Sequence, residues 1–156
     1  MSFIDDINKE TFVYYKGSQL LCAEGIIQWS FASFFGYCAA AAAFQLKIQF
    51  AIFTIPLVLI LFLYLSKRMH YFGLSATYLI VKNQTKFWRL NAYSLSDIKE
   101  IVFEQQFKMP VAIRIITNDF ESKLYPAASL WDKRWRELRD DLKNKNIEVR
   151  VECSIG

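Results

Sequence analysis

The sequence predicts an α+β chain: a two-helix transmembrane hairpin, then a small antiparallel β-sheet or partly open barrel closed by a C-terminal amphipathic helix. Three observations predict it. The 156 residues are 54% hydrophobic, yet between Gly25 and Ser66 the only charge is Lys47. Beyond residue 66 the apolar residues alternate with period two between short turns. From Trp131 the apolar period lengthens to that of a helix. The expected segments are therefore residues 1–25, a cytoplasmic N-terminal segment, residues 26–65, the hairpin, and residues 66–156, a cytoplasmic domain.

The N-terminal segment does not read as a secretory leader. Asp5, Asp6, Glu10 and Glu24 outweigh Lys9 and Lys16, where a signal peptide needs a positive n-region. Two uncharged stretches follow, 26–44 and 48–65. At about 1.5 Å per residue each covers roughly 27–28 Å, close to a hydrocarbon core of about 30 Å. One helix over both would be about twice too long, so the chain reverses near Gln45-Leu46-Lys47. Lys67 and Arg68, with His70 beyond, close the second stretch. Positive residues stay on the cytoplasmic side, so the expectation is a multi-pass inner-membrane protein with both termini cytoplasmic. Tyr64, Tyr71 and Phe72 suit an aromatic belt, and Lys67, Arg68 and Tyr71 read as interface anchors.

Ala32, Gly36 and Ala40 recur at i, i+4 and i+8. Such a stripe lets another helix approach closely. Its partner is either the second helix of the same chain or a helix of another chain. Pro56 is expected to kink the second helix, and Gln28 carries no transport role.

In the domain, 76–82 is the first expected strand. Asn83-Gln84 turns into a second at 85–90, and 101–108 alternates next until Met109-Pro110 breaks it. Val111, Ile113 and Ile115 follow, then Asn118-Asp119 turns into 120–125. Trp131, Trp135, Leu138 and Leu142 share one helical face, with Ser129 and Asp132 as a capping box. Ile147, Val149 and Val151 form a last short strand.

Two membrane spans, Tyr78-Leu79-Ile80-Val81, the Tyr93-Ser94-Leu95-Ser96-Asp97-Ile98 turn and the helix before Asn146-Ile147-Glu148-Val149 together resemble the bacterial PH-domain (pleckstrin-homology-like) membrane proteins. The resemblance spans roughly residues 20–150. It implies a PH-like fold rather than an activity. The first hairpin turn lacks the basic cluster that phosphoinositide-binding PH domains place there; Lys82, Lys86 and Arg89 are the basic residues nearby.

Chemical motifs are missing from the sequence. There are five glycines and no phosphate-loop pattern, no HExxH and no GxSxG. One histidine and three scattered cysteines give no metal spacing. No cofactor is expected, and the chain reads as non-enzymatic. Residues 66–156 hold 16 Lys or Arg against 11 Asp or Glu, without a nucleic-acid-binding motif. The functional expectation is a hairpin-anchored protein-interaction domain. Its competitors are an accessory subunit of a transport or secretion complex assembled through the hairpin, and a sensor of anionic lipid. Expected partners are membrane lipids and another protein, in a membrane complex or as a homo-oligomer, with no nucleic acid and no small-molecule substrate. Trp88, with Lys86 and Arg89, is the candidate contact for that protein or lipid.

Overall fold

The computed structural model describes residues 9–44, 48–86, 88–107 and 109–153, with side chains described for these except 19, 42–44 and 48–51. After a short edge strand, β1 (Val13–Tyr15), come two long helices, α1 (Ala23–Phe44) and α2 (Ile48–Ser66). Strands β2 (His70–Leu74), β3 (Tyr78–Asn83), β4 (Leu90–Ser94), β5 (Ile98–Glu104), β6 (Ala112–Thr117) and β7 (Ser122–Pro126) follow. Helix α3 (Asp132–Asn144) and strand β8 (Glu148–Val151) close the described chain.

The strands form two four-stranded sheets, β1-β2-β3-β4 and β7-β6-β5-β8. All pairs are antiparallel except β5–β8, which α3 makes parallel by carrying the chain back along the sheet. Their inner faces bury Phe72, Leu79, Val81, Ile101, Phe103, Ile113 and Ile115. Trp135 of α3 closes the space between them: its ring lies 5.8 Å from Phe72 of one sheet and 5.7 Å from Phe103 of the other. Leu138 and Leu142, one and two turns on, are fully buried beside it.

Helices α1 and α2 pack antiparallel. The Gln28 amide donates to the Phe62 carbonyl (3.4 Å), and the Trp29 ring meets Phe62 edge-on at 6.0 Å. Helix α2 runs unbroken through Pro56. The expected reversal at Gln45-Leu46-Lys47 lies outside the described residues.

The expected transmembrane hairpin is corrected. Among the described residues, no helix is long and apolar enough to cross a membrane. In α1, the described side chains include Glu24, Gln28, Ser30 and Ser33, which dilute its apolar content. Side chains 42–51, on which both expected spans drew, lie outside the description. The membrane-anchoring function, the complex assembled through a membrane hairpin and the multi-pass inner-membrane placement lose their support with the hairpin.

Local expectations also shift. Phe72, expected in an interfacial belt, is a core residue of β2, and Tyr71 lies half-buried on the same strand. Residues 85–89 form a turn, not a strand; β4 begins at Leu90. Trp131, expected in the core, is the exposed N-cap residue of α3 and makes no side-chain cap. Ser129 does not cap the helix: it is buried and accepts a hydrogen bond from the Gln84 amide (2.9 Å). Strands β1 and β2 extend the sheet beyond the expected strands.

Candidate functional site

Where α2 ends, the chain turns sharply. Successive bonds run from Lys67 N–H to Tyr64 O, Arg68 N–H to Leu65 O and Met69 N–H to Ser66 O. Strand β2 then begins at His70, which pairs in register with Asn83, the last residue of β3. Asn83 is buried and works as a strut. Its amide donates to Ser66 O (2.7 Å), and its side-chain oxygen accepts from the backbone N–H groups of Thr85 (3.0 Å) and Lys86 (2.9 Å). One side chain thus fastens the end of the hairpin to the β3–β4 turn.

This fastening makes a cleft of about 260 Å³ lined by Lys67, His70, Asn83, Lys86, Arg89 and Asn91. Three basic side chains meet there, and no carboxylate is among the described residues that line it. Among the described residues none of the three forms an ion pair. Arg68 does not join them. It folds back on Tyr64, bonding its hydroxyl at 2.9 Å with the guanidinium 5.1 Å from the ring. The His70 Nδ1 lies 2.8 Å from Pro126 O, an acceptor, so Nδ1 carries the proton. The ring also meets Tyr125 edge-on at 5.4 Å. Burial holds the His70 pKa below the ordinary histidine value, only partly offset by the Pro126 bond, so the cleft's positive charge at neutral pH comes from Lys67, Lys86 and Arg89. Trp88 stands on the same turn, 67% exposed.

The second feature is the hairpin surface. Ile26, Ile27, Phe31, Phe34 and Tyr37 of α1 are exposed, as are Ile52, Phe53, Ile55, Leu57, Leu59 and Ile60 of α2, Phe53 to 79%. A groove of about 220 Å³ between the helices is lined by Ala32, Phe35, Gly36, Ala39 and residues of α2 from Thr54 to Phe62. A Cβ built on Gly36 would meet no atom within 4 Å. Ala32 and Gly36 therefore border open space, and the stripe is not consumed by its own second helix at Gly36. Ala40 lies exposed outside the groove.

A third depression, about 470 Å³, runs between β1 and the end of α3. Its Tyr15 hydroxyl donates to Asp141, and burial pushes that hydroxyl's pKa far up, which suits a structural bond and not a nucleophile. Burial likewise raises the thiols of Cys22 and Cys153 and lowers their reactivity. Among the described residues no three or more His, Cys, Asp or Glu side chains gather in a metal-binding group.

The structure thus joins Lys86 and Arg89, which the sequence named together with Trp88, to Lys67, named as an interface anchor. It leaves Arg68 and Tyr71 outside the cleft. His70, Asn83 and Asn91 were not foreseen in it. The available signal was the Asn83-Gln84-Thr85 turn shortly after a helix ending in Lys67, but it points to a cleft only once β2 is recognised as a strand. No protein-family model matches this sequence, and no curated protein matches it.

Proposed function

We propose that this chain is a non-enzymatic association protein, with the helical hairpin as its docking element and the sheet body as a PH-like interaction module. The observation that carries this reading is the exposed apolar surface on both helices. Isolated exposed apolar residues are ordinary, but a contiguous patch beyond a few hundred Å² marks a site of interaction. Helices whose apolar residues point in every direction need apolar neighbours on every side. An apolar surface of another protein copy or partner supplies that chemistry. The PH-like reading is supported by the body's two antiparallel-built sheets closed by one C-terminal helix.

The test is the particle mass of the full chain, measured by light scattering in plain buffer, in mild nonionic detergent and with added lipid vesicles. The expected result is no dispersed monomer in plain buffer. A defined oligomer or hetero-complex there identifies protein as the cover. Recovery only with detergent or vesicles, with no protein partner, would count against the reading. A monodisperse monomer in plain buffer that binds neither detergent nor vesicles would sink the reading.

A further inference from the structure

We infer that the outer edge of β8 pairs antiparallel with the same edge of a second copy of this chain. The two-fold axis stands at Val149, so Glu148 of each copy faces Arg150 of the other. The pairing concerns the sheet body and does not depend on what covers the hairpin.

The first observation is an open edge. Among the described residues β8 is the last strand of the sheet β7-β6-β5-β8 and pairs on one side only, with β5. The backbone N–H of Glu152 donates to Phe103 O at 2.8 Å. In a parallel ladder alternate residues bond the same neighbour, so Val149 and Val151 turn their N–H and C=O groups away from β5. Such a row is the template on which a further strand adds.

The second observation is the charge pattern. Of the four edge strands, β1 and β4 carry no charged side chain and β7 carries Lys123 alone. An edge with one sign of charge repels its own copy. Strand β8 carries both signs, Glu148 and Arg150, both exposed. They alternate with Val149, which packs against the core, and so stand on the outer face of the sheet. Within the chain Glu148 lies beside Glu100 of β5, an unfavourable like-charge neighbour. A second copy's Arg150 would relieve it.

The third observation is register. Centring the axis on Val149 makes the two Val149 residues a hydrogen-bonded pair. Glu148 and Arg150 then meet across the strands on both sides, in non-hydrogen-bonded pairs with Cα atoms about 4.5 Å apart, where side chains approach closest. Centring on Arg150 would set Arg150 against Arg150 and Glu148 against Glu152. Centring on Val151 would rely on Glu152, which lies past the strand's end and already bonds Arg150 of its own chain at 2.9 Å. The favoured register joins two four-stranded sheets into one across an isologous contact. Four residues a side make a small contact, so the dimer is reversible and forms with rising concentration.

Sedimentation equilibrium of the full chain in a mild nonionic detergent, over a concentration series, tests the pairing. The samples are the wild type, Glu148→Arg, Arg150→Glu and an equimolar mixture of these two variants. Each single reversal sets like charges opposite each other at both contacts and is expected to weaken association by about tenfold. In the mixture every contact between unlike copies regains opposite charges, and affinity should return to within about threefold of the wild type. Recovery on mixing also shows that both variants are folded. Lys123→Glu, a reversal on the β7 edge, should leave association unchanged. All samples share one hairpin, so hairpin association adds equally to each and its absence leaves the comparison intact. No self-association of the wild type, equal association in the wild type and both variants, loss in only one variant, or a mixture no better than its components would overturn the pairing.

Discussion

The hairpin and the sheet body are built from the same apolar residue types and use them in opposite ways. In the body, Phe72, Phe103, Leu79 and Ile113 are wholly buried. In the hairpin, Phe34, Tyr37, Phe53 and Ile60 are mostly exposed. The cause is the number of layers. Each sheet has one inner face, and the other sheet or α3 covers it. Two helices alone bury only the stripe along which they touch, and these two are apolar well beyond that stripe. The body therefore draws its stability from itself, whereas most of the hairpin's apolar surface can be stabilised only by something outside the chain.

Truncations at the two places should separate this most sharply. Trp135→Ala removes the side chain that touches both sheets and is expected to cost about 3–5 kcal/mol of body stability. Phe53→Ala, 79% exposed, is expected to cost the body less than about 0.5 kcal/mol and to act on the particle mass instead. Denaturant unfolding followed by the near-ultraviolet signal of the body measures both. Comparable losses would erase the distinction.

Glycines give a second, smaller contrast. A Cβ at Gly17 would sit 1.5 Å from the backbone oxygen of Ser129, in the loop that leads to α3. Backbone cannot swing aside as a side chain can, so Gly17→Ala is expected to destabilise by about 3 kcal/mol. At Gly36 the same methyl enters open space. There Gly36→Ala should stabilise α1 by up to about 1 kcal/mol through backbone entropy. Thermal melts of the two variants moving in opposite directions is the expected outcome. A fall at Gly36 as large as at Gly17 would mean that the groove is filled.

How much of this was legible in the sequence follows from the range of the interactions. The apolar face of α3 was readable because Trp135, Leu138 and Leu142 stand at helical spacing and all three are buried. Trp131 fits the same spacing but precedes the first helical turn, so its ring points elsewhere. Strand β2 was hidden because His70-Tyr71-Phe72 directly follows an apolar helix and imitates an aromatic belt. Strand β1 is three residues long, too short for any period to appear, and its partner β2 lies beyond both helices. The cleft needed that missing pairing. Lys67, Lys86 and Arg89 were each visible, but the register of His70 against Asn83 is what brings them together.

The smallest expected effect lies at the junction of the two regions, in the pH dependence of stability. The chain has a single histidine, so between about pH 5 and 7 His70 is the only side chain with an ordinary pKa in range. Burial lowers its folded pKa below 6.5. The unfolded chain then binds more protons through that window, and stability falls as protons are added. His70's contribution is complete above about pH 6.5 and declines as the pH drops toward the folded value. Lys67, Lys86 and Arg89 line the same cleft, and the neutral Tyr125 edge and the Pro126 carbonyl complete the surroundings. Glu104 responds separately. Its bonds to Arg114 lower its pKa below 4.5, so its contribution is present above that value and is lost as the pH falls through the folded pKa. Melting temperature recorded from pH 8 to 4 should show a shallow decline beginning near pH 6.5 and a second loss below about 4.5. His70→Gln should flatten the first and leave the second. A first decline that survives this substitution would mean that the protons are taken up elsewhere.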